Sequence, residues 1–170
     1  MFRFLVACAV LAIVGSKPHG RGDHQMPLPS NPACAAMAQT FHNPSATADE
    51  KKAAYDGFKA AVGDNWQALI DGMKKLAEAA VANQPALNGA EQFQKFVSSF
   101  EDGSIVNVTP EQVKEEMQKL KASADKDDKA AWREFMKAHK DDFEALKKLL
   151  PEGCAPEHTW GEHGASPAPQ

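Results

Sequence analysis

The residues whose chemistry is easiest to interpret in this sequence are two cysteines that lie far apart. Cys34 and Cys154 remain once an N-terminal leader carrying Cys8 is removed. In an oxidising compartment, an isolated pair of cysteines most simply forms one disulfide. That bond would close a loop of about 120 residues and stabilise the fold by about 4–5 kcal/mol, by restricting the unfolded chain. The alternatives are two free thiols or a bond between two chains.

Acidic and histidine side chains provide two candidate metal sites. Asp125, Asp127 and Asp128 resemble the start of an EF-hand calcium loop, but Lys129 and Ala130 stand where an oxygen ligand and a glycine are required. The simpler interpretation is an acidic helix N-terminus, and a weak divalent-cation site is the alternative. Four histidines could form a second site if the disulfide brings the chain ends together, although solvated histidines are the simpler interpretation: His19, His24, His158 and His163.

Aromatic side chains indicate either a packed core or an apolar pocket. Phe93, Phe96 and Phe100 share one face of a predicted helix. Trp132 and His139 lie on the apolar stripe of a later helix, where His139 could line a pocket or respond to pH. A carrier of small apolar ligands, such as fatty acids, would hold them in a cavity between these helices. A close-packed core, with His139 at its edge, is the simpler interpretation.

The sequence lacks the spaced motifs of the common enzyme classes. It has no nucleophile elbow, no glycine-rich phosphate loop, no HExxH zinc motif and no paired-cysteine motif. We therefore expect a protein that is not an enzyme and has no cofactor. Two short motifs could act outside catalysis. Asn107 begins an N-glycosylation sequon whose occupancy the following Pro110 would lower, and Arg21-Gly22-Asp23 is an integrin-type tripeptide.

The N-terminal segment has the composition of a secretory signal peptide. Arg3 is a short positive region, residues 5–14 are an apolar run too short to span a bilayer, and small residues precede a cleavage point after Ser16. Cleavage would remove Arg3 and change the formal net charge from −4 to −5. We therefore expect a secreted, extracellular protein with no membrane span and no nucleic-acid partner.

The elements that must position these residues are helices, and one of them occurs twice. Residues 52–69 and 129–146 align without a gap at an offset of 77, with eight of the 18 positions identical. Aromatic, lysine, aspartate and leucine positions match in register, which favours a duplicated unit over two unrelated amphipathic helices. A short helix precedes each copy, at about 32–41 and 110–122, so each half predicts a helical hairpin.

We therefore predict an all-α fold in which duplicated helical hairpins form a four- to six-helix bundle closed by one disulfide. The helical domain would span 30–154, with an internal repeat of about 32–76 and 110–150. Flexible segments, 17–29 and 155–170, would flank it.

Particular residues predict where the helices begin and bend. Asn31, Thr47 and Thr109 are expected to cap three helices. A bend or short break is expected at Gly63. The last helix is expected to run to about residue 150, since Lys140 occupies the position equivalent to Gly63. The helix after Thr109 has an apolar stripe that should face the core: Val113, Met117 and Leu120.

Parts of the chain resemble the nematode SXP/RAL family. The similar residues are Phe41 with Asn43, the cap at Thr47, residues 94–100 (QKFVSSF) and residues 107–111 (NVTPE), which lead into a helix. The resemblance covers about 35–140, and the long-range disulfide and the His- and Pro-rich ends depart from it. It implies an all-helical secreted antigen, with divalent-cation binding proposed for some members. No cation ligand transfers residue by residue.

These observations together predict a secreted, non-enzymatic helical protein that acts by binding, for example a parasite antigen at a host–parasite interface. The partner would be a protein of undefined identity. The alternatives are a carrier of small apolar ligands, in which the partner is fatty-acid-like, and a weak divalent-cation binder.

Overall fold

The computed structural model describes residues 28–83, 87–123 and 127–154, apart from the side chains of Met117, Lys121 and Lys129. Those ranges contain seven α-helices, two 3-10 turns and no strand, so the predicted all-α class is confirmed. The 3-10 turns are Gly63–Asn65 and Ser104–Asn107. The helices are α1 (Pro32–His42), α2 (Ala48–Val62), α3 (Trp66–Ala82), α4 (Ala90–Glu101), α5 (Pro110–Ser123), α6 (Asp128–Ala138) and α7 (Lys140–Leu149).

The three predicted helix starts are confirmed by their capping hydrogen bonds. The Asn31 side chain accepts from two backbone N–H groups in the first turn of α1. Thr47 and Glu50 form a reciprocal capping box at α2. Thr109 and Gln112 do the same at α5, with N–O distances of 2.9 and 3.3 Å. Each pair satisfies backbone donors that an isolated helix end leaves free.

The core forms where α3 meets its neighbours. Helix α1 packs along α2, and α3 packs along both α4 and α7. The buried apolar side chains come from both copies of the repeat and from the helix between them. The largest fully buried ones are Phe58, Phe93, Phe100, Met37, Leu69, Ile70, Met73 and Leu76. Among the described helices, none is long and apolar enough to cross a membrane.

The predicted disulfide joins the two ends of the helical body. Cys34 in α1 is bonded to Cys154, with a Cα–Cα distance of 5.5 Å, and both residues are buried. The Asn31 backbone N–H donates to the Gly153 carbonyl at 3.2 Å. The Asn31 Nδ2 atom donates to the Glu152 carbonyl at 3.1 Å. Residues 30–34 therefore lie beside residues 152–154.

The prediction of one last helix running to about residue 150 is wrong, because the helix breaks at His139. Helix α6 ends at Ala138, α7 begins at Lys140, and His139 has φ −105° and ψ 23°. Asp141 and Asp142 occupy the first turn of α7, where carboxylates favour a helix start. The expected break at Gly63 is confirmed as a 3-10 turn, with Gly63 at φ 58°. The two copies of the repeat therefore break at neighbouring positions, since His139 is equivalent to Val62 and Lys140 to Gly63.

Helix α5 is the part of the fold that the sequence predicted least well. Of its expected inward stripe, Leu120 is 6% exposed but Val113 is 52% exposed, and the Met117 side chain is not described. Among the described residues, α5 is absent from the principal helix pairs. It contacts the body at Leu120 and through the Ser123 hydroxyl, which donates to Asn88 Oδ1 at 3.1 Å. Of the two described residues of the stripe, Leu120 is therefore buried and Val113 faces outward.

Candidate functional site

The aromatic residues predicted to line a pocket lie in two separate groups. In the first group, the Phe100 ring contacts the rings of Tyr55, Phe58, Trp66 and Phe96, with centroids 5.4–5.9 Å apart. Phe100 is fully buried by these neighbours, and Phe93 is buried in the same core. Aromatic pairs at these separations stabilise a core beyond their buried area. The face carrying Phe93, Phe96 and Phe100 is thus occupied by protein side chains.

The second aromatic group belongs to the second copy of the repeat. Trp132 meets Phe135 edge-on at 5.5 Å, and Phe135 lies 4.5 Å from the His139 ring. Among the described residues, no ring contact joins this group to the first one. By ring contacts, Phe96 and Phe100 fall in the first group and Trp132 and His139 in the second, although the buried residues Phe93, Phe100 and Trp132 all belong to one hydrophobic core.

Equivalent aromatic residues of the two copies hold the two ends of α4. The Tyr55 hydroxyl donates to the Phe100 carbonyl at 2.6 Å, near the end of α4. The Trp132 Nε1–H donates to the Asn88 carbonyl at 2.9 Å, just before α4 begins. Tyr55 and Trp132 occupy matching repeat positions, so each copy contributes one polar contact to the helix between them.

Burial controls the chemistry of the Tyr55 hydroxyl. Its pKa is raised to about 12, mainly because burial removes water from the phenolate, with smaller contributions from the negative charges of Asp56 and Asp102. The hydroxyl therefore remains a neutral donor through the ordinary pH range. This makes it a structural group, because a general base would need a pKa near the working pH.

His139 lies at the edge of the core in a small polar cluster between α3 and α7. Its Nδ1 atom is 3.0 Å from Asp142 Oδ2, and Lys75 Nζ donates to the other oxygen of Asp142 at 2.8 Å. The Lys75 hydrogen bond, and then the one from His139, lower the pKa of the Asp142 carboxyl. This placement agrees with the simpler prediction for His139, a hydrogen-bonded residue at the rim of the apolar stripe.

The candidate cation site near the start of α6 is only partly described. Asp128 Oδ2 accepts a hydrogen bond from Asn88 Nδ2 at 2.7 Å, and Asp127 precedes the helix. Asp125 lies outside the described residues, as do His19, His24, His158 and His163. Among the residues that are described, no three His, Cys, Asp or Glu side chains are grouped to hold a metal ion.

The glycosylation sequon lies on the surface. Asn107 is exposed at the end of the 3-10 turn Ser104–Asn107, and the Thr109 hydroxyl accepts from the Gln112 N–H. A glycan on Asn107 would therefore not disturb the core. The Arg21-Gly22-Asp23 tripeptide, the predicted signal peptide 1–16 and segment 155–170 lie outside the described residues.

Lys51, which the sequence did not single out, is the one charged residue that the described part of the chain buries. It is 9% exposed, and its Nζ atom donates to the Val108 carbonyl at 2.9 Å. The available signal was its spacing, because Lys51 lies four residues before Tyr55 and seven before Phe58, on the core face of α2. Its contact fastens α2 to the segment that leads into α5.

Comparison with known proteins adds no assignment to this geometry. No protein-family model, curated protein or solved structure matches the chain. The resemblance to the SXP/RAL family therefore stays a prediction from the residues that suggested it.

Proposed function

We propose that this protein is a secreted, non-enzymatic helical protein that binds another macromolecule with its outer surface. The observation that carries the proposal is the use of the buried aromatic residues. Both copies of the repeat use theirs for packing and for holding α4, as Tyr55 and Trp132 illustrate. Within the described part of the chain, every buried polar side-chain atom has a hydrogen-bond partner. Specific recognition is therefore expected from exposed residues.

The disulfide supports the extracellular part of the proposal. It joins residues separated by 120 positions, and both sulfurs are buried. Such bonds form and persist in oxidising compartments, whereas the cytosol keeps thiols reduced. The signal-like composition of residues 1–16 agrees with this location. The SXP/RAL resemblance adds the role of a secreted antigen.

The carrier hypothesis has less support than the surface-binding one. Phe93 and Phe100 were expected to wall a cavity, and both are packed against other side chains. A cavity for a fatty-acid-like ligand would have to displace these contacts, and filled cores resist such rearrangement. The cation-binding hypothesis depends on Asp125 together with Asp127 and Asp128.

Expression of the full chain in a secreting eukaryotic host tests the proposal. We expect the protein in the medium, cleaved after Ser16, with Cys34 and Cys154 recovered as one bonded peptide under non-reducing conditions. Native mass spectrometry should give the mass of the chain and any glycan, with no small ligand. Retention inside the cell would contradict secretion. A co-purifying lipid would support the carrier, and a retained divalent ion would support the cation binder.

A further inference from the structure

The second copy of the repeat carries a row of exposed cations. Arg133 and Lys137 lie on α6, and Lys140 begins α7; all three are exposed. Among the described residues, none of the three takes part in an ion pair. Arg133 is also the one arginine within the described ranges. Lys140 also adds to the effect of the Lys147 hydrogen bond in lowering the pKa of the Glu144 carboxyl, so its charge is partly compensated, whereas Arg133 and Lys137 are the more available to a ligand.

Helical spacing aligns these residues. Intervals of four and three residues place neighbours on one side of a helix, about 6 Å and about 4.5 Å apart along its axis. Backbone hydrogen bonds of the helical type continue across the break at His139. The His139 N–H donates to the Phe135 carbonyl at 3.0 Å, and the Phe143 N–H donates to the His139 carbonyl at 3.1 Å. We call Arg133, Lys137 and Lys140 the basic row.

The first copy of the repeat has the same scaffold without the basic row. Its residues at the three equivalent positions are Asp56, Ala60 and Gly63. Asp56 is itself paired with Lys52 one turn earlier. The fold therefore does not require cations at these positions, because the first copy folds with other residues there.

The residues around the basic row argue against a membrane surface or a nucleic acid as its partner. The large apolar side chains that are strongly exposed in the described chain are Leu28 and Val113, and both lie outside α6 and α7. Insertion into a membrane surface relies on such side chains beside the cations. Trp132 and Phe135 are buried, so they offer no platform on which nucleic-acid bases could stack. Exposed acidic residues, Glu134 and Asp141, also limit the row to a narrow strip.

We propose that the basic row binds a sulfated polysaccharide of the extracellular matrix. A linear chain with regularly spaced sulfates can follow a row of cations without needing a pocket. The planar fork of Arg133 suits a tetrahedral oxyanion, and the two lysines supply point charges. The formal net charge of the whole protein is −4, so the attraction is local and depends on this row. The biological role rests on the proposed extracellular location, whereas the binding itself is measured with purified protein.

The test is calorimetric titration of the full chain with a heparin-derived hexasaccharide at low salt. A triple variant, Arg133→Ala, Lys137→Ala and Lys140→Ala, should bind about tenfold more weakly, since three exposed charge contacts are lost. A control variant with the same change in charge replaces Lys52, Lys95 and Lys114, which are exposed elsewhere. It should bind like the unmodified protein. Circular dichroism would show that both variants remain folded.

Three results would overturn the proposal. The first is no binding by the unmodified protein, and the second is equal weakening by both triple variants. The third is equally tight binding of polyglutamate of matched charge, which would point to an acidic peptide. Failure of secretion would refute the proposed location while leaving the titration result intact, so the two proposals can fail separately.

Discussion

The two copies of the repeat show which features of the duplicated unit the fold requires and which it leaves free. Three of their buried positions coincide: Tyr55 with Trp132, Phe58 with Phe135, and Leu69 with Leu146. Both copies also break close to the same place, the first at Gly63 and the second at His139, which is equivalent to the preceding residue, Val62. These three core positions and a break nearby are thus common properties of the unit.

The differences between the copies lie at the break and on the surface. The first copy turns with a glycine at φ 58°, a conformation that most residues avoid. The second turns with His139 at φ −105°, and two aspartates begin the next helix. Two different sequences therefore interrupt the repeated helix at nearly the same place. Exposed positions, such as Asp56 against Arg133, are free to diverge because nothing packs on them.

The largest expected effect comes from removing the bond that joins the two ends of the chain's helical body. The double variant Cys34→Ala, Cys154→Ala should lose about 4–5 kcal/mol of unfolding free energy, because the unfolded chain regains its loop entropy. Urea denaturation of the oxidised protein and the variant measures this difference. A loss below about 1 kcal/mol would mean that the unfolded chain stays compact without the bond.

The next effect tests directly whether the copies are equivalent. Phe58 and Phe135 occupy matching positions and are 1% and 4% exposed. Replacing either with Ala should cost about 3–5 kcal/mol, through lost burial and the cavity left behind. Parallel urea denaturation of the two single variants compares them. If Phe135→Ala cost less than about 1 kcal/mol, the second copy would not share the core role of the first.

The sequence allowed the local features of the fold to be predicted better than the distant ones. Caps at Asn31, Thr47 and Thr109 follow from short-range hydrogen bonding, and the break at Gly63 follows from backbone freedom. The break at His139 was not predicted, because Lys140 stands at the position equivalent to Gly63 and a lysine does not by itself favour a break. The signal lay in the two following aspartates, which favour a helix N-terminus.

The arrangement of the candidate site depended on contacts that periodicity does not specify. A stripe predicts that a residue faces inward, but not which helix it will meet. Trp132 and Phe100 were therefore expected to share one cavity and lie in separate ring clusters instead. Val113 is exposed for the same reason, since α5 meets the body mostly near Leu120. Lys51 was overlooked because charged residues are rarely buried.

A smaller effect should distinguish the copies by pH, since only the first has a titratable residue at the α4 contact. Tyr55 is the only tyrosine of the chain, so absorbance near the phenolate band reports it alone. Its pKa in the folded protein, about 12, lies above the ordinary tyrosine value of 10.0. The unfolded state therefore ionises first, and stability should fall as pH rises from about 10 toward 12.

The variant Tyr55→Phe is the control for this titration. This variant should abolish the contribution of Tyr55 to the loss of stability at alkaline pH. At neutral pH it should lower the free energy of unfolding by about 1–2 kcal/mol, because the Phe100 carbonyl loses its donor. Trp132 makes the corresponding contact in the second copy without a titrating proton. An unshifted phenolate titration in the folded protein would contradict the buried hydrogen bond.

The smallest effect concerns the polar cluster that the second copy has and the first lacks. Asp142 lies at the position equivalent to Asn65, so Asp142→Asn gives the second copy the residue of the first. The carboxylate pairs with Lys75 and His139, which lower its pKa, so its contribution is present above the unfolded pKa. It should disappear as pH falls through the lower folded value. The melting temperatures of the protein and the variant should therefore differ slightly at pH 7 and converge in acid.

Because the ion pair of Asp142 with Lys75 is solvent-exposed, added salt should also reduce the difference between the two melting temperatures. A difference that persisted in acid would mean that Asp142 acts by packing, and the two copies would then differ in their core as well as on their surface.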